Sequence, residues 1–170
     1  LYTRRGPLQT AKSIIRYVPI ELNNLFFRLN YGSGTEVMSE DWDNLFILDG
    51  CRYDLFQRCE IPVDGRLESR ISLGSSSEEF LEQNFRDNKY YDTVYVNANP
   101  FIPRFGLDEG TFHAVTNCLE EWDADLQTIP PKPVADAAKR AFNNFPDKRI
   151  IVHFMQPHAP FIGEKGRALA

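Results

Sequence analysis

The sequence predicts an α/β protein with a mainly parallel sheet, an α/β/α sandwich. Three observations predict it. Short apolar runs of strand length recur at residues 45–48, 93–96 and 150–152, separated by stretches with helical spacing. Two of the runs end abruptly in groups that bind metals or move protons, Asp49 after the first and His153 after the last. In open α/β sheets the carboxyl ends of the strands line the ligand crevice, so both runs point to one active edge.

The elements follow in order. Leu8, Ala11, Ile14, Ile15, Val18, Leu22, Leu25, Phe26 and Leu29 have helical spacing with one broad apolar face, and Pro19 is expected to kink or split that helix. It reads either as a helix packed on the domain or as one lying on a membrane surface or partner, the second reading drawing on Lys12, Arg16 and Arg28. Tyr31-Gly32-Ser33-Gly34-Thr35 reads as a linker. Residues 1–40 are thus an amphipathic helix and linker, and 41–170 the domain. The first strand, over 44–49, is expected to be buried, and a short helix over 52–59 follows. Residues 68–73, with Ile71 and Leu73 alternating against polar neighbours, read as a second strand. Gly74-Ser75-Ser76-Ser77 is a turn opening a helix that runs to Phe85, with Ser76 and Glu79 as a capping box. A third strand spans 93–96. Residues 100–130 read as irregular, a lid or substrate loop with His113 as a loop histidine. A helix over 133–145 starts at proline and leads into the fourth strand.

Composition narrows the functions. The chain has 170 residues, 42% of them hydrophobic and 25% charged, which fits one globular domain. A net charge of -5 argues against a nucleic-acid binder. Cys51, Cys59 and Cys118 form no CxxC pair, so neither a disulfide framework nor a zinc ribbon is indicated. A cytoplasmic location follows as the expectation, with membrane contact through residues 8–29 as its one addition. No run reaches the length of a membrane span. The chain begins at Leu1 rather than Met and stops soon after the fourth strand, so the domain is expected to be part of a longer product, incomplete at its C-terminus.

Seven residues carry candidate chemistry. Asp49 at a strand end can bind a divalent cation, act as a base, or cap the next helix. The serines at 75–77 face the positive end of a helix, which suits phosphate or sulfate binding or an activated hydroxyl as well as plain capping. His153 is a core histidine or a ligand. His158 sits in a stiff loop between Pro157 and Ala159-Pro160, which preorganises an imidazole for proton transfer. Arg52 pairs locally with Asp54 or contacts an anion. No P-loop, GxGxxG or GxSxG motif is present.

The stretch Trp42-Asp43-Asn44-Leu45-Phe46-Ile47-Leu48-Asp49-Gly50-Cys51-Arg52-Tyr53-Asp54 resembles the first motif of sulfatase-like proteins of the alkaline phosphatase superfamily. His153-Phe154-Met155-Gln156-Pro157-His158-Ala159-Pro160-Phe161 is similar to a later one, with Gly74-Ser75-Ser76-Ser77-Glu78 and Tyr95-Val96-Asn97-Ala98-Asn99-Pro100-Phe101 between them. The nearest likeness is to the archaeal branch, over residues 41–163. The resemblance implies hydrolysis of small-molecule or glycan phosphate or sulfate esters at a divalent-metal site, the metal being Zn, Mn, Mg or Ca. It implies Asp49 as a metal ligand, Ser77 as nucleophile with Ser75 second, His158 at the transferring group or the leaving oxygen, and Arg52 and Ser75 near the anion. Ser77 is followed by Glu78-Glu79-Phe80, not by the C/S-x-P-x-R signature of formylglycine sulfatases, which implies an unmodified hydroxyl. Two other readings stay open: a surface or interaction protein that keeps the fold without catalysis, and a transferase of phosphoglycerol-type groups in envelope polysaccharide assembly.

Overall fold

A computed structural model of the chain describes residues 19, 22, 23, 25–27, 29, 30, 32, 34–60 and 64–168. The ordered elements are β1 (Asn44–Leu48), α1 (Tyr53–Gln57), α2 (Ser77–Phe85), β2 (Tyr90–Asn97), α3 (Phe101–Arg104), β3 (Phe112–Asn117), α4 (Pro131–Asn144), β4 (Arg149–Phe154) and α5 (Glu164–Arg167). The four strands form one sheet in the order β1-β4-β2-β3, and every neighbouring pair is parallel. Parallel strands need crossovers, and the helices that make them cover both faces. The result is an α/β/α sandwich.

Period-two alternation builds the two layers. Val94 and Val96 of β2 and Ile150 and Val152 of β4 face α4, which presents Val134, Ala137, Ala138 and Ala141. Tyr95 and Ile151, one residue out of phase, face α2 with its Leu81 and Phe85. Small residues on α4 let that helix lie close to the sheet. On the other side Phe85 fills the space, with its ring meeting Tyr90, Tyr95, Phe112 and Phe80 edge-on. The chain moves in one direction from β1 through β2 to β3, then turns back to insert β4 between β1 and β2. Reversing direction with a fixed crossover hand moves the connecting helix to the opposite face, which is where α4 lies.

Several expectations need correction. Residues 68–73 form no strand; Ser72 makes an isolated bridge with Thr35 instead. An alternating pattern needs a partner strand, and none lies beside it among the described residues. The second strand of the sheet is therefore the one at 90–97. The segment 100–130 is less irregular than expected, because it holds α3 and β3. His113 lies in β3, with its ring edge-on to Phe145 at 5.6 Å, and is not a loop residue. β1 is an edge strand, half-buried in alternation: Leu45 and Ile47 face the α2 layer while Phe46 and Leu48 are exposed. The proline-initiated helix starts at Pro131, two residues earlier than expected. The described residues between 19 and 30 are helical, and the rest of the expected helix over 8–29 lies outside the described residues.

Candidate active site

The carboxyl ends of β1, β2 and β4 meet at one edge, and register decides who meets there. Ile47 of β1 and Asn97 of β2 both pair with His153 of β4. The residues just past the strands, Asp49 and Asn99, therefore flank the end of β4 from either side. Asp49 N–H donates to the Phe154 carbonyl at 3.1 Å, extending the β1–β4 ladder to the acid itself. Above this edge lies a cleft of about 690 Å³ whose lining includes Asp49, Arg52, Ser75, Ser77, His153 and His158. All five predicted site residues are on its wall, together with His153.

Ser77 is the residue the geometry singles out. Ser76 is the N-cap of α2 and its Oγ accepts from Glu79 N–H at 3.3 Å. Glu79 reaches back to accept from Ser75 N–H and Oγ at 2.9 and 2.7 Å, which holds its carboxyl below the usual carboxylate range. Capping thus uses Ser76 and Ser75 and leaves Ser77 free for another partner. Its Oγ donates to both oxygens of Asp49, at 2.9 and 3.0 Å, across 28 residues of sequence. Gly74 permits this turn: a Cβ there would overlap the Phe80 backbone nitrogen and lie 2.6 Å from the Glu79 carbonyl carbon.

Asp49 is nearly buried, with 9% of its surface exposed, and is held on its other side by an amide. Asn99 Nδ2 donates to Asp49 Oδ2 at 3.0 Å while its Oδ1 accepts from Phe101 N–H at 2.9 Å. The second bond fixes which way the amide faces, so the NH₂ must point at Asp49. Asn97 supports it in turn, accepting from Asn99 N–H at 2.8 Å. Nothing in the sequence motif marks Asn99 as a site residue except its place just past a strand end.

Beneath Asp49 lies a buried pair. The Tyr95 hydroxyl and His153 Nδ1 are 2.8 Å apart, and His153 Nε2 is 3.9 Å from Asp49 Oδ2. Burial, with the Asp49 charge adding to it, holds the Tyr95 phenol protonated, well above its usual pKa. The Asp49 carboxylate faces Nε2 and favours the hydrogen there, and in that tautomer Nδ1 accepts from the Tyr95 hydroxyl. Burial drives His153 down to about 4, against the opposing pull of Asp49. It is a neutral core histidine that faces the carboxylate.

His158 and Arg52 frame the rim. His158 Nδ1 lies 2.6 Å from the Ala159 carbonyl, which only accepts, so Nδ1 carries a hydrogen. The ring packs on Gly50, whose φ of +70° and missing Cβ suit a tight turn under an approaching side chain; a Cβ there would stand 3.4 Å from His158 Cδ2. Arg52 is exposed and forked onto Asp54 at 2.9 Å through both Nε and Nη2. The local pairing is what the structure contains, and Arg52 lines the cleft.

Asp49 and Ser77 are oxygen donors of the kind hard divalent cations take. Among the described residues no group of three or more His, Cys, Asp or Glu could hold a metal ion. No protein-family model, no curated protein and no solved structure matches the chain.

Proposed function

We propose that the cleft hydrolyses phosphate or sulfate esters with Ser77 as the nucleophile, in the manner of the sulfatase-like proteins its motifs resemble. One observation carries this reading: a hydroxyl at the start of a nine-residue helix, bonded to both oxygens of a nearly buried carboxylate at the base of a cleft. The Ser77 oxygen attacks phosphorus or sulfur and its proton passes to Asp49. The first turn of α2 offers backbone N–H groups and the positive end of its dipole to the equatorial oxygens. The bond to the leaving oxygen breaks, and His158 in its imidazolium form protonates that oxygen through Nε2. Water then gives a proton to His158 and attacks the phosphorus or sulfur, the bond to Ser77 Oγ breaks, and Asp49 returns its proton to that oxygen. Asn99 and the Tyr95–His153 pair hold Asp49 where it meets Ser77.

A divalent cation, Zn, Mn, Mg or Ca, belongs to the same proposal. Asp49 and Glu78 both line the cleft, while Arg52 is paired with Asp54. An anionic ester would meet a negative wall unless a cation offset it. Asp49 would be one of the ligands.

The test is hydrolysis of an aryl phosphate, an aryl phosphodiester and an aryl sulfate by the full chain with each of the four cations, beside Asp49→Ala and Ser77→Ala. Turnover of one ester that vanishes in both variants supports the proposal and names the substrate class. Turnover that survives Ser77→Ala overturns it, and no turnover on any ester favours the non-catalytic reading.

A further inference from the structure

Away from the cleft, apolar helical residues between 19 and 30 are exposed. Leu22, Leu25, Phe26 and Leu29 follow the spacing that puts side chains on one helix face. They are 61, 54, 65 and 78% exposed. Asn30 Nδ2 donates to the Phe26 carbonyl at 2.7 Å, so the polar end group bonds to its own helix and not to the domain. A contiguous apolar stripe of this kind marks a surface that something covers.

The charge distribution says what covers it. Residues 1–30 hold Arg4, Arg5, Lys12, Arg16 and Arg28, five of the 19 basic residues, and only Glu21 of the 24 acidic ones. The apolar stripe therefore sits in the one strongly basic section of an acidic chain. A second copy packed stripe to stripe would bring two basic sections together. An anionic bilayer accommodates both features at once: the apolar side chains enter the headgroup boundary and the basic ones meet lipid phosphates. No helix among the described residues is long and apolar enough to cross a membrane.

We infer that the N-terminal segment is a peripheral anchor for anionic lipid surfaces, seated through Leu22, Leu25, Phe26 and Leu29. It stands independently of the chemistry proposed for the cleft.

The experiment is co-flotation of the full chain with vesicles of phosphatidylcholine alone and of phosphatidylcholine mixed with phosphatidylglycerol. The wild type should float with the mixed vesicles and not with the neutral ones, and added salt should weaken the binding. Leu25→Glu with Phe26→Glu should abolish it. Arg16→Gln with Arg28→Gln should weaken it more than tenfold, since each basic residue near such a surface is worth about fivefold. Circular dichroism of the variants checks that the domain stays folded. Failure to float with anionic vesicles overturns the inference, as does equal binding to both vesicle types. So does a wild-type dimer that ignores vesicles and becomes a monomer on Leu25→Glu with Phe26→Glu, which would make the stripe a self-association surface.

Discussion

Acid should destabilise this protein through His153. The ring is enclosed, with the Tyr95 hydroxyl on Nδ1 and Asp49 beyond Nε2, and burial lowers its pKa from the ordinary 6.5 to about 4. Above pH 6.5 neither the folded nor the unfolded chain binds a proton there, and the stability tied to the neutral ring is fully present. As pH falls below that value, the unfolded chain takes up a proton that the folded chain refuses. Stability then drops by about 1.4 kcal/mol per pH unit. The loss totals about 3 kcal/mol by the time the folded ring also protonates near 4. That is a large share of the 5–15 kcal/mol typical of a domain. The assay is urea denaturation at successive pH values through this window, on the wild type and on His153→Asn, which keeps a polar group toward Tyr95 and removes the titration. The stability difference between the two proteins should move against the wild type by about 3 kcal/mol across the window. Parallel pH curves would refute the reasoning, because His153 would then charge in place without cost.

Other substitutions separate scaffold from chemistry. Ser76→Ala removes the α2 cap and should cost about 1 kcal/mol in urea denaturation while ester hydrolysis persists. Phe85→Ala empties the centre of the aromatic cluster and should cost about 3–5 kcal/mol, read as a large fall in thermal midpoint. Gly74→Ala forces a methyl against the α2 backbone; it should destabilise the protein by more than about 1 kcal/mol and lower turnover with it, as the serine turn is pushed from Asp49. Calorimetric titration with Mn²⁺, Zn²⁺, Mg²⁺ and Ca²⁺ should find binding no tighter than about 10⁻⁴ M, lost in Asp49→Asn. Micromolar affinity would mean a fuller ligand set than Asp49 and Ser77.

The parts of this fold that were legible in the sequence are those with strong local contrast. Residues 45–49 and 150–153 pass from apolar to ionisable in one step, and both proved to be parallel strands ending at the cleft. The capping box announced the start of α2, and three serines with one cap left a hydroxyl over. β3 was not legible because its six residues mix Phe112, Ala114 and Val115 with His113, Thr116 and Asn117, the pattern of an edge strand. Residues 68–73 alternate as a strand would, but pairing is a long-range property and only one bridge forms. The Tyr95–His153 contact spans 58 residues and depends on the placement of β4 beside β2, which no local pattern encodes. Asn99 likewise became visible only when the register brought it to Asp49.

Trapping the nucleophile tests the central claim most directly. The full chain, supplied with a divalent cation and an aryl phosphate or aryl sulfate, would be quenched in acid during turnover and its peptides mapped by mass spectrometry. The account predicts one phosphoryl or sulfuryl group on Ser77, and neither label nor turnover in Ser77→Ala. A label on a different residue, or turnover that continues in Ser77→Ala, would contradict it.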